Sequence, residues 1–188
     1  MNLIIFGPPG AGKGTQANFI VNKFNLYQLS TGQILRNEIK NKTELGKEIS
    51  SIINSGSLVS DEVVKKLVEN FISDQKYNNR LIFDGYPRNL TQAKTLNELL
   101  TKYDQKINLV LKLSVSLKTI KKRILERRNI EKRADDNEEN AIKRYETYEK
   151  STEPVIEYYK KLNLLKVING ERSIDQINKE ISDIINLI

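Results

Sequence analysis

The chain has 188 residues, 31 Lys plus Arg against 24 Asp plus Glu, a formal charge of +7, and no His, Cys or Trp. Without imidazole or thiol there is no Ser-His-Asp or Cys-His pair, no HExxH zinc site, no disulfide framework and no cysteine nucleophile. Chemistry falls to carboxylates, ammonium, guanidinium, hydroxyls and backbone amides, and the positive charge asks for an anionic partner: nucleic acid, an anionic membrane surface or a phosphorylated small molecule. The length suits one domain. No segment approaches the roughly 18–20 apolar residues of a membrane span, and no secretory leader is seen, so a soluble, cytoplasmic protein is expected.

Residues 2–6 form an apolar run ended by Gly7-Pro8-Pro9-Gly10, which reads as a buried strand and a sharp turn. From 13 to 24, Ala17, Phe19, Ile20, Val21 and Phe24 recur at helical spacing. A strand over 27–29 leads into Ser30-Thr31-Gly32, read as the cap of a helix carrying Ile34, Leu35 and Ile39. Leu45, Ile49, Ile52 and Ile53 mark a further helix closed at Ser55-Gly56, and Ser60-Asp61-Glu62 opens one with Val64, Leu67, Val68, Phe71 and Ile72 on its apolar side. A strand over 80–83 breaks at Asp84-Gly85-Tyr86-Pro87. A helix over 90–100, a strand over 107–113, helices over 117–128 and 137–161, a strand over 164–168 and a helix over 173–187 follow. Strands alternating with helices imply an α/β fold: a parallel sheet covered on both faces, with right-handed crossovers.

Gly7-Pro8-Pro9-Gly10-Ala11-Gly12-Lys13-Gly14-Thr15 sits between the first strand and helix, the context of a phosphate-binding loop. Glycines let the backbone amides curl inward, the helix start adds positive potential, and Lys13 reaches the terminal phosphates of a nucleotide. The position after the lysine is Gly14 where most such loops carry a hydroxyl, so Thr15 and waters are expected to serve magnesium instead.

Four further stretches, with this loop, resemble the adenylate kinase family of nucleoside monophosphate kinases, P-loop NTPases. They are Leu29-Ser30-Thr31-Gly32 with Arg36; Gly56-Ser57-Leu58-Val59; Asp84-Gly85-Tyr86-Pro87-Arg88 with Gln92; and Arg133-Ala134-Asp135-Asp136 with Arg144. The resemblance covers essentially the whole chain. It implies a five-stranded parallel sheet flanked by helices in a single domain over 1–188, an inserted helical monophosphate-binding subdomain over 30–59 and a lid over 126–136. That lid is the short form, since only 128–132 separate Arg127 from Arg133.

By the same resemblance ATP lies on Gly10, Ala11, Gly12, Lys13, Gly14 and Thr15, with Arg127 and Arg172. AMP lies against Thr31, Gly32, Arg36, Ser57, Leu58, Val59, Gly85, Tyr86, Pro87, Arg88 and Gln92, with Arg133 and Arg144. Lys13, Arg88, Arg123, Arg133 and Arg144 surround the transferring phosphoryl, and Asp84 holds Mg2+ through water, Thr15 assisting. Asp135 and Asp136 either anchor the lid or cap the following helix. There are nine Arg against twenty-two Lys, and six of the nine fall on family phosphate positions, where a planar paired donor serves better than an ammonium. Arg80 and Arg128 are read as surface residues. The implied reaction is ATP plus AMP giving two ADP, serving adenine nucleotide homeostasis in a monomer that binds neither nucleic acid nor membrane. UMP/CMP kinase is the sibling reading. A nucleic-acid binder is the reading from another class, suggested by eight basic and two acidic side chains over 118–133.

Overall fold

The computed structural model describes residues 1–55, 57–131 and 137–188. Five parallel strands form one sheet in the order β2-β3-β1-β4-β5, with β1 over Asn2–Phe6, β2 over Tyr27–Ser30, β3 over Leu81–Asp84, β4 over Ile107–Ser114 and β5 over Leu165–Asn169. Every residue of β1 and β3 is buried, as strands covered on both faces require. The pleat sends Leu3 and Ile5 into a core with α1 (Lys13–Phe24) and α8 (Ile174–Ile185). Ile4 and Phe6 enter the opposite core with α4 (Asp61–Ser73), α5 (Leu90–Lys102) and α7 (Glu138–Lys161). A small third cluster, Ile120, Ile124 and Ala141, joins α6 (Leu117–Glu131) to α7.

The chain leaves β1 for β2 and β3 on one side, then crosses to β4 and β5 on the other. The strand order therefore reverses at β1, and a crevice opens beyond the strands' carboxyl ends, where open α/β sheets bind ligands. Register brings Ile5 and Ser30 alongside Asp84, so the expected break at Asp84 is instead the last residue of β3.

Side-chain caps explain several helix starts. Thr43 accepts from the Gly46 N–H ahead of α3 (Glu44–Asn54), Asn89 from Gln92 ahead of α5, and Asn137 from Asn140 ahead of α7, while Ser173 and Gln176 make a reciprocal box at α8. The cap expected at Ser30-Thr31-Gly32 is not made by the Ser30 side chain, and α4 opens after Ser60 as expected, without a side-chain cap bond. Ser30 closes β2, and Thr31, first residue of α2 (Thr31–Lys40), donates its hydroxyl to the Gly85 carbonyl at 3.0 Å. Arg80, read as a surface residue, is half-buried: it donates twice to the Asn25 carbonyl and lies 4.8 Å from the Tyr27 ring centre. Among the described residues no helix is long and apolar enough to cross a membrane.

Helices α2 and α3 pack so closely that a Cβ at Gly46 would collide with the Glu38 carbonyl group and the Ile39 backbone nitrogen. Gly46→Ala is expected to destabilise the protein by about 3 kcal/mol or more. Gly14→Ala, where a Cβ meets nothing within 4 Å, changes stability little. Urea unfolding midpoints of the two variants check the contrast.

Candidate functional site

A cleft of about 910 Å3 lies at the carboxyl ends of the strands. The loop between β1 and α1 forms its floor. Gly10 and Gly12 hold φ of 83° and 94°, in the left-handed region that favours glycine, and a Cβ on Gly10 would also press on Ile124 and the Ile120 carbonyl. Helix α1 has no acidic residue in its first turn to offset the positive end of its dipole. Lys13 donates through Nζ to the carbonyls of Gly7 at 2.6 Å and Pro8 at 3.0 Å. Burial lowers its ammonium to about 8; Asp84 opposes the shift, while Arg88, Arg127 and Arg144 add to it.

The turn after β3 forms the facing wall. Asp84, 8% exposed, accepts from Gln28 Nε2 at 2.9 Å. Arg88 donates through Nε to the Gly85 carbonyl at 2.8 Å. Burial lowers its pKa from the ordinary value and Asp84 opposes this, yet guanidinium stays protonated at neutral pH. The Tyr86-Pro87 peptide within this turn is cis.

From α6, Arg123 and Arg127 reach the cleft from one helix face, as their spacing of four requires. Arg123 donates to the carbonyls of Ala11 at 3.3 Å and Gly170 at 2.9 Å, tying α6 to both the phosphate loop and the end of β5. Glu171 holds the start of the same helix, accepting from the Ser116 N–H and the Thr119 hydroxyl at 2.7 Å each.

Of the residues expected to bind, Gly10, Gly12, Lys13, Gly14, Thr15, Gly32, Arg36, Ser57, Leu58, Asp84, Gly85, Pro87, Arg88, Arg123, Arg127 and Arg144 all line this one cleft. Thr31, Val59, Tyr86, Gln92 and Ala11 are buried and are not among the lining residues. Gln92 accepts from the Arg88 N–H and donates to Asp61, each at 2.7 Å. Arg172 is not brought to the lining; its guanidinium pairs with Glu180 and the Asn169 carbonyl. Arg133, Asp135 and Asp136 lie outside the described residues.

Sequence reasoning missed Gln28, Thr152 and Asp61. Thr152 donates to the Arg88 carbonyl at 3.0 Å across 64 positions of sequence, and no local pattern signals such a pair. For Gln28 a signal existed: a polar side chain inside a strand, two positions before Ser30 on the same face.

A family model described as adenylate kinase matches residues 5–164. The chain is 44% identical to the adenylate kinase of Pelagibacter ubique, with 100% of both chains covered. It is 41% identical to that of Fusobacterium nucleatum subsp. nucleatum over 98% of each chain. With that of Flavobacterium psychrophilum the identity is 40%, over 99% of this chain and 98% of the relative.

The Lys13 shift has a measurable consequence. With a pKa near 8 the ammonium is partly deprotonated at pH 8.5, and a polyphosphate placed beside it raises that pKa. ATP binding at pH 8.5 is therefore expected to take up on the order of half a proton, and less at pH 7, where Lys13 is already charged. Calorimetric titration in two buffers of different ionisation enthalpy measures the uptake, and Lys13→Met should abolish it.

Proposed function

The chain belongs to the adenylate kinase family, and on that premise we propose that it transfers a phosphoryl group reversibly from ATP to AMP, giving two ADP. One observation supports the reading: the loop carrying Lys13 and the half-buried Arg88 beside Asp84 line one cleft, and we read them as two facing anion sites. A donor triphosphate fits the first and an acceptor monophosphate the second. We assign the acceptor side to a subdomain over 30–59, with Arg36 and Arg88 as paired donors to phosphate oxygens. Of Gln92's four hydrogen-bonding positions, Arg88 and Asp61 take two, and we give the remaining lone pair and N–H to the adenine.

The step is a direct in-line displacement. An oxygen of the AMP phosphate attacks the γ-phosphorus, the bond from that phosphorus to the β–γ bridging oxygen breaks, and ADP leaves with the electron pair. The attacking phosphate is already an anion, so no general base is needed, which suits a chain without histidine. Lys13, Arg88, Arg123 and Arg144, with Arg133 of the proposed lid over 126–136, stabilise charge spread over the transferring oxygens. Asp84 and Thr15 offer one carboxylate and one hydroxyl beside Lys13, and no cluster of three acidic ligands exists among the described residues. That donor set suits magnesium that keeps waters and nucleotide oxygens as its other ligands; bound with ATP, it supplies charge neutralisation on the phosphates. We read the protein as a cytoplasmic monomer serving adenine nucleotide balance. Two cations of the basic 118–133 segment, Arg123 and Arg127, face this cleft, which favours polyphosphate over nucleic acid as their partner.

With ATP and magnesium, AMP is expected to outperform CMP, UMP and GMP as acceptor in steady-state kinetics; a pyrimidine preference overturns the assignment. Arg88→Ala should raise the AMP KM and lower kcat by about 100-fold, whereas Lys13→Ala should act mainly on kcat by a similar factor.

A further inference from the structure

Asp61 opens α4, directly after the 30–59 segment, and its carboxylate faces the start of α5. Oδ1 accepts from Gln92 Nε2 at 2.7 Å, and Asn89 Nδ2 donates to Oδ1 at 3.1 Å and Oδ2 at 3.2 Å. Gln92 Oε1 accepts in turn from the Arg88 backbone N–H at 2.7 Å, and Gln92 is only 3% exposed. One buried amide is thus gripped by partners of opposite kind, a backbone N–H that can only donate and a carboxylate that, when ionised, can only accept. Turning the amide over would set N–H against N–H and carbonyl against carboxylate, losing both bonds where water cannot replace them. The carboxylate also stands at the positive ends of two helices, as the first residue of α4 and as the partner of the α5 cap residue Asn89.

Arg88 depends on this arrangement. Its N–H is held by Gln92, its carbonyl by the Thr152 hydroxyl at 3.0 Å, and its Nε is engaged with the Gly85 carbonyl. Asp61 is the charged member behind the first of these contacts.

We propose that Asp61 is a positioning residue that locks the polarity of the Gln92 amide, fixing the seat of Arg88 and the purine that the acceptor site takes. The purine part rests on the AMP reading given above. A locked amide offers its remaining lone pair and N–H in one order. A 6-amino purine answers that order with an N6–H donor and an N1 acceptor. A 6-oxo purine presents the reverse, an acceptor at O6 and a donor at N1, and is refused unless the amide turns over.

The test compares wild type with Asp61→Ala and the isosteric Asp61→Asn, using AMP and IMP as acceptors. In Asp61→Ala the AMP KM should rise about 10-fold, the ATP KM should stay within about twofold, and the AMP-over-IMP ratio of kcat/KM should fall about 10-fold. Asp61→Asn, which keeps one acceptor oxygen, should move the same quantities less and serves if the alanine variant does not fold. An unchanged AMP KM, an ATP KM that rises in step, or an unchanged AMP-over-IMP ratio overturns the proposal. The lock is also read without turnover, from the Gln92 side-chain amide resonances of 15N-labelled protein, assigned by their loss in Gln92→Leu. Their exchange with solvent should quicken and their shifts move in Asp61→Ala; identical spectra refute the lock. If wild-type protein does not use AMP, the AMP reading fails, while these spectra still decide whether Asp61 holds the amide.

Discussion

Lys13, Arg36, Arg88, Arg123, Arg127 and Arg144 share one cleft, and like charges held that close repel one another unless something of opposite sign lies among them. Burial does most to lower the Lys13 ammonium, and Arg88, Arg127 and Arg144 lower it further against the pull of Asp84. Asp84 and Glu126 line the same cleft and offset part of that charge. Lys13 also donates to the carbonyls of Gly7 and Pro8, Arg88 to that of Gly85, and Arg123 to those of Ala11 and Gly170. Carbonyl dipoles orient a cation without cancelling its charge. Elsewhere the lysines pair with carboxylates, as in Lys47 with Glu44, Lys102 with Glu69, Lys121 with Glu138 and Lys160 with Glu157. Arg172, which the family pattern assigns to ATP, is likewise paired with a carboxylate, that of Glu180.

These carbonyls become available because of the topology. Gly7 and Pro8 follow β1, Gly85 follows β3 and Gly170 follows β5, so each oxygen lies just past the carboxyl end of a parallel strand, where ladder pairing has stopped. All strands point the same way, so the free ends gather on one edge. The buried aliphatic strands that stabilise the sheet also set the positions of the groups that hold the charges.

The sheet and most helices were legible because apolar runs and helical spacing are local properties of sequence. Ser30 makes no side-chain cap bond, and a hydroxyl before a helix has the same sequence signature whether or not its oxygen turns inward. The family resemblance named sixteen of the residues that line the cleft, but the contacts that steady them were not legible in the sequence. Gln28 with Asp84, Asp61 with Gln92 and Thr152 with Arg88 are separated by 56, 31 and 64 positions, distances over which hydrophobic periodicity carries no information. Arg80 was misjudged for the same reason: its partners, Asn25 and Tyr27, belong to the neighbouring edge of the sheet.

The scarcity of arginine acquires a physical meaning from the donor inventory. An ammonium has three N–H donors, and Lys13 spends two on its own loop, so it can present little more than one to a phosphate. A guanidinium has five in a rigid fork, and Arg123, after bonding two backbone carbonyls, still has three. An arginine that braces the backbone thus keeps more free donors than a lysine that does so. In a chain that prefers lysine by more than two to one, Arg88 and Arg123 line the cleft while bonding backbone carbonyls with only part of their donor set, and Lys13 stands in the loop as a compact point charge.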